Sequence, residues 1–117
     1  MTIKFILALK VRAYYSLNSI YSGRHWSRRA SIAKEIHSLI RLEIKARGLK
    51  RDIEKPCELW LYYNSKLDCS NHGFLTKCIE DGMKGLLIKD DTRKYIKGIY
   101  QGFWNGEGVK VKIKEIK

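Results

Sequence analysis

Proline occurs once, at Pro56, and the chain shows neither a low-complexity tract nor an internal repeat. With 44% hydrophobic and 31% charged residues, such a chain is an ordered globular one and not a disordered linker. Cysteine is scarce too. Cys57, Cys69 and Cys78 are odd in number and lack CxxC or zinc-type spacing, which argues against a disulfide framework or a structural zinc site and predicts reduced thiols. No apolar run approaches the ~20 residues of a membrane span. Lys10 and Arg12 follow the short apolar start too closely for a signal peptide. Together these absences predict a cytoplasmic protein with no membrane partner.

Acid is the other shortage. Twelve Asp and Glu stand against twenty-four Lys and Arg, a formal charge of +12, the footprint of a nucleic-acid binder. The cations are spread over every segment, so a folded surface and not a tail does the binding. A basic assembly subunit is the plainer alternative. Five of the twelve acids nevertheless fall between Asp68 and Asp91, in a stretch that reads as one helix with acid at both ends.

At 117 residues the chain suits one α+β domain, with one layer of helices on one mixed sheet. Ile3–Leu9 is a nearly continuous apolar run, predicting a strand buried on both faces or an early core strand. Lys10–His25 has no sustained period and reads as a long loop. From Trp26 to Arg47, apolar residues recur by threes and fours at Ile32, Ile36, Leu39, Ile40 and Ile44, which marks an amphipathic helix. Ser27 can cap it and Gly48 stop it, and its outer face carries Arg28, Lys34, Arg41 and Lys45. Lys50–Pro56 is a polar connector, and Cys57–Tyr63 a second strand, central in the sheet.

Beyond Asp68, Leu75, Cys78, Ile79, Gly82, Met83 and Leu86 share one side of a helix, with Lys77, Asp81 and Lys84 on the other. Tyr95–Phe103 resumes strand character. Asn105–Gly108 is a turn, and Val109, Val111 and Ile113 alternate with Lys110, Lys112 and Lys114, so the chain is expected to end in a hairpin. The predicted order is β-α-β-α-β-β. If the second and third strands are neighbours, Asp68, Asp90 and Asp91 come onto adjacent strand ends.

Carboxylates gathered beside a polyanion suggest a Mg²⁺ ion, which takes oxygen ligands and supports phosphodiester hydrolysis. Asp68, Asp90 and Asp91 are the candidate ligands, with Asn71 and Asp81 as weaker ones, and no His/Cys cluster favours zinc. Lys77 is the candidate to neutralise the acids or stabilise a leaving oxygen. The residues alone leave a second reading open. Asp68 and Asn71 serve equally as turn residues, Asp90-Asp91-Thr92 as a turn before a strand, and Lys77–Asp81 as an ordinary helix pair. Trp60, Tyr62 and Tyr95 read as core or dimer-packing aromatics.

The segment Tyr62–Ile96 resembles the RusA family of Holliday-junction resolvases. That family's pattern, Asp-x-Asp-Asn, then Lys, a helix and an Asp-Asp pair, is matched by Asp68-Cys69-Ser70-Asn71, by Lys77 and Asp81, and by Asp90-Asp91. Asn18 with its neighbouring tyrosines, and the terminal segment with Gly106 and Gly108, extend the resemblance loosely over the chain. It implies a homodimeric endonuclease that nicks four-way DNA junctions symmetrically with Mg²⁺, for which Mn²⁺ can substitute. Asp68 and Asp91 match metal ligands, Asp90 is the adjacent acid, and Lys77 matches the catalytic lysine. Ser70, Asn71 and Asp81 are supporting positions, and Asn18, Tyr21, Arg24, Arg28 and Lys66 are DNA contacts.

Two departures accompany this match. Ser70 replaces the second motif aspartate, and six residues separate Asn71 from Lys77 where the pattern has about three. Three added helical residues turn a side chain by about 300° and raise it about 4.5 Å. Lys77 therefore keeps its facing, one turn further along. A DNA-binding module without chemistry is the alternative, with Tyr14–Tyr21 and Trp26 stacking on bases.

Overall fold

The first strand, β1 (Thr2–Leu7), buries alternate residues only: Ile3, Phe5 and Leu7 point into the core, while Thr2, Lys4 and Ile6 face solvent. The computed structural model describes residues 2–11, 26–49, 53–90 and 92–116. The expectation of a strand buried on both faces is thus corrected. β1 lies at a sheet edge and helices cover one face of that sheet, so the period-2 pleat leaves every second residue outside.

Helix α1 (Trp26–Ala46) buries Ile32, Ile36, Ile40 and Ile44, a stripe of fours along one side. Gly48 ends it at φ 64°, and the Leu49 amide reaches back 3.0 Å to the Ile44 carbonyl, satisfying one of the last turn's acceptors. Ser27 falls inside the first turn and not ahead of it. Strand β2 (Cys57–Tyr63) follows, and its inward residues Cys57, Leu59, Leu61 and Tyr63 are all fully buried. The connector before β2 is less polar in effect than its composition suggests. Ile53 is buried, and its backbone bridges Leu87 and Lys89.

The stretch after Asp68 is not one helix. A 3-10 turn, Cys69–His72, precedes α2 (Gly73–Met83), and Gly85 at φ 78° turns the chain away. Leu86 therefore lies beyond the helix and is exposed, whereas Leu87 and Ile88 enter the core. α2 packs on α1 where Gly82 leaves room: a Cβ there would stand 2.5 Å from Ile40 Cδ1. Leu75, Ile79 and Met83 complete the buried side, and each such side chain contributes about 1.5–3 kcal/mol.

Strands β3 (Ile96–Phe103) and β4 (Val109–Glu115) close a four-stranded sheet in the order β1-β4-β2-β3. β2 runs parallel to β3 and antiparallel to β4, which also pairs antiparallel with β1. The expected terminal hairpin is corrected, because β2 lies between its two arms. The connecting loop passes over the end of β2, held by Trp104 N–H to the Tyr63 carbonyl (3.0 Å) and by Asn64 Nδ2 to the Gly106 carbonyl (2.8 Å). The central place of β2 and the β-α-β-α-β-β order follow expectation. No helix among the described residues is long and apolar enough to cross a membrane.

Candidate nucleic-acid interface

Because β2 and β3 are parallel, the two loops flanking α2 lie at opposite ends of the sheet. Asp68 sits at the C-terminal end of β2: the Cys69 thiol donates to the Gln101 carbonyl (3.2 Å) and His72 packs on Tyr63 and Phe103. Asp90 sits at the other end, next to Lys89, whose amide bonds the Ile53 carbonyl ahead of β2. Seven strand residues separate these ends, a span of about 20 Å. Carboxylates sharing one Mg²⁺ each approach it to about 2.1 Å. Asp68 and Asp90 therefore do not fit one ion, and no three His, Cys, Asp or Glu side chains gather as a metal site among the described residues.

The remaining predicted positions scatter as well. Asp68 is exposed and makes no capping bond, although its carbonyl accepts from the Asn71 amide at 2.9 Å. Ser70 and Lys66 are exposed, Asn71 is half-buried, and Arg28 is exposed in the first turn of α1. Asp90 pairs with Lys84 at 3.5 Å. Lys77 holds Asp81 at 3.1 Å and also Glu80 at 3.3 Å. With Lys77 60% exposed, its pair with Asp81 is a surface pair of small energetic weight, whereas Glu80 is buried. Asn18, Tyr21, Arg24 and Asp91, and the aromatic loop Tyr14–Tyr21, lie outside the described residues.

His72, which the sequence reading passed over, fixes the turn that carries Asp68. It is fully buried and stacked 4.1 Å from the Tyr63 ring. Nδ1–H donates to the Cys69 carbonyl at 3.0 Å, so the neutral ring accepts the Ser65 hydroxyl at Nε2, 2.6 Å away. Below it the Tyr63 hydroxyl donates to Thr76 Oγ1 at 2.7 Å, and Thr76 donates to Gln101 Oε1. Burial pushes the Cys78 thiol in α2 up to about 12, with Asp81 adding to the rise, so it stays protonated as a core residue.

Burial also lowers the His72 pKa, against the raising effect of its bond to Cys69. The unfolded chain therefore binds a proton more readily than the folded one. His72's contribution is complete above its unfolded value near 6.5 and is lost as pH falls from there toward the folded value. Urea titrations should show stability dropping below pH 6.5 by at most ~1.4 kcal/mol per pH unit from this group. His72→Phe should flatten that region, and an unchanged slope would remove His72 from this role.

The sheet face turned away from the helices has a different character. In register, Lys4, Lys112, Trp60 and Tyr100 form one row across the four strands. Ile6, Lys110, Tyr62 and Gly102 form the next, and Thr2, Lys114, Glu58 and Gly98 the one on its other side. Four lysines thus share the face with one carboxylate, Glu58, and none of them is in an ion pair with a described residue. Lys112 Nζ lies 5.4 Å above the Trp60 ring, and Lys110 Nζ lies 5.5 Å from Tyr62 and 5.8 Å from Trp104. Trp60 and Tyr62 are half-buried on this face and Tyr100 is 47% exposed, so the reading of Trp60 and Tyr62 as core is corrected.

One signal for this face was present in the sequence: Lys110, Lys112 and Lys114 alternate, as do Trp60 and Tyr62, so each set shares a side of its strand. Their meeting depends on β4 pairing with β2. No family model, no curated protein and no solved structure matches the chain.

Proposed function

We propose that this chain binds DNA through the open face of its sheet. The observation that carries the reading is the convergence of Lys4, Lys110, Lys112 and Lys114 from two adjacent strands, against Glu58 alone. Lysines in no ion pair with a described residue can neutralise phosphates and release their counterions, which drives association and makes it salt-dependent. The resemblance to the RusA resolvases points to the same partner and narrows it to branched DNA such as a four-way junction, and the three free cysteines favour the cytoplasm.

Mg²⁺-dependent paired nicking by a homodimer is a second reading. It is favoured by the exposed Asp68–Asn71 turn at the C-terminal ends of two parallel strands, the end where open α/β sheets bind ligands. Against it stand Asp90 at the opposite end and Ser70 in place of an acid. A labelled four-way junction and a matched linear duplex, each with Mg²⁺ or EDTA, separate the two on native and denaturing gels. The expected result is a junction complex in EDTA that weakens steeply with salt, and no nick. No complex at low salt would sink the DNA-binding reading. Mg²⁺-dependent paired nicks that vanish in Asp68→Asn would install the nuclease instead.

A further inference from the structure

Resting on the DNA-binding reading above, we propose that the open sheet face is a stacking platform for single-stranded nucleic acid, with bases on Trp60, Tyr62 and Tyr100 and phosphates on the lysines of β4 and β1. Charge alone accounts for a lysine row but not for three aromatic rings set beside it. Duplex DNA presents its phosphates outward and keeps its base faces stacked on one another, so exposed rings gain little from it. An unpaired strand offers both a backbone and free π-faces.

The rings are arranged for that use. Trp60 and Tyr100 lie with centroids 4.5 Å apart, and Tyr62 is 6.0 Å from Tyr100, so the three form one continuous patch. Gly102 makes the arrangement possible. A Cβ at that position would lie 2.8 Å from Tyr100 Cε1, so the glycine lets the Tyr100 ring lie back along the sheet. Beside the patch, Lys110, Lys112 and Lys114 stand on alternate residues of β4, a line of about 13 Å along the strand. Lys110 and Lys112 rest over aromatic faces, the position a base would take. Long, flexible lysine stems can exchange those faces for phosphate oxygens as a strand arrives. Stacking of this kind tolerates any base, so no sequence preference is expected.

The Trp60 indole Nε1 is shielded and has no hydrogen-bond partner among the described residues. Its ring, and not its N–H, is therefore the useful group, and Trp60→Phe should bind within a few-fold of the parent.

The test uses the full chain and a fluorescein-labelled oligothymidylate of about 20 nucleotides, with a duplex of equal length as comparison. Anisotropy titrations should give tighter binding to the single strand. Tyr100→Ala should weaken that binding about 5- to 150-fold while changing duplex affinity less than two-fold, and Tyr100→Phe should bind as the parent does. Gly102→Val, which displaces the ring without removing it, should reproduce the single-strand loss and provides a second route should Tyr100→Ala fold poorly. Equal affinity for single strand and duplex, or equal losses on both, would overturn the platform while leaving DNA binding intact; absence of binding to either nucleic acid would overturn both. A second copy of the chain on this face is the remaining outcome. A dimer that Tyr100→Ala dissociates, with single-strand affinity unchanged, would also overturn the proposal.

Discussion

Changing Lys110, Lys112 and Lys114 together to glutamine is expected to lower affinity for single-stranded DNA by about 500-fold at 50 mM salt, from about eight-fold per phosphate contact. The slope of log affinity against log salt should fall by about 2, because each lost single-strand contact removes about 0.7. All three side chains leave β4 on the uncovered face, and none is in an ion pair with a described residue. Removing their charge thus leaves no buried partner behind, and thermal unfolding should move little. Fluorescence anisotropy across a salt series measures both quantities. Parent-like affinity and slope would place the DNA contact on another surface, such as the exposed basic side of α1. Control substitutions at Lys34, Arg41 and Lys45 there should change binding less than two-fold.

Gly108→Ala should produce the largest loss of stability among the glycine substitutions. Gly108 adopts φ 82°, and a Cβ would stand 2.3 Å from the Leu7 carbonyl oxygen. That obstacle is backbone, which cannot rotate aside as a side-chain end can. The left-handed strain and the collision together cost about 2–5 kcal/mol, equivalent to a fall of ~10 °C or more in Tm. Gly85→Ala separates the two effects, since Gly85 has φ 78° but nothing within 4 Å of the new methyl. It should cost only the conformational strain, about 1–2 kcal/mol. Similar losses in both variants, measured by urea denaturation, would mean that the loop shifts freely and that the Leu7 contact is unimportant.

Gly108 matters because of where the β3–β4 connection runs. The loop spans the end of β2, tied down by Trp104 N–H to Tyr63, Asn64 to Gly106, and Trp104 Nε1–H to the Gly108 carbonyl at 3.1 Å. Directly after Gly108, Val109 pairs with Leu7 and sets the β1–β4 register. A slip of one residue there would turn Lys110, Lys112 and Lys114 into the core and Val109, Val111 and Ile113 out of it. The loop thus protects the sign of the open face as well as the fold.

The acidic stretch shows how a spacing can mislead. Asp68 and Asp90 flank one helix, and had β2 and β3 run antiparallel their loops could have met at one end of the sheet. Parallel pairing sends the helix from the top of one strand to the bottom of the next, so the two acids lie apart. Linear spacing carries no sign for strand direction. His72 was hidden for a related reason: its importance lies in Tyr63, Ser65 and Cys69 closing around it, and no pattern in the chain announces a buried imidazole with both nitrogens satisfied.

By itself the sequence determined the order of elements and the buried stripes of α1 and β4. Ile32, Ile36, Ile40 and Ile44 recur at helical spacing, Val109, Val111 and Ile113 alternate, and Gly48 stops a helix, all consequences of local backbone geometry legible within a short window. Tertiary structure alone decided that β2 splits the terminal pair of strands, that Ile53 joins the core, and that Trp60, Tyr62 and Tyr100 share an uncovered face with four lysines. Those outcomes depend on hydrogen bonds between strands far apart in the chain and on which side of the sheet the helices bury their apolar stripes, and neither is written in any local period.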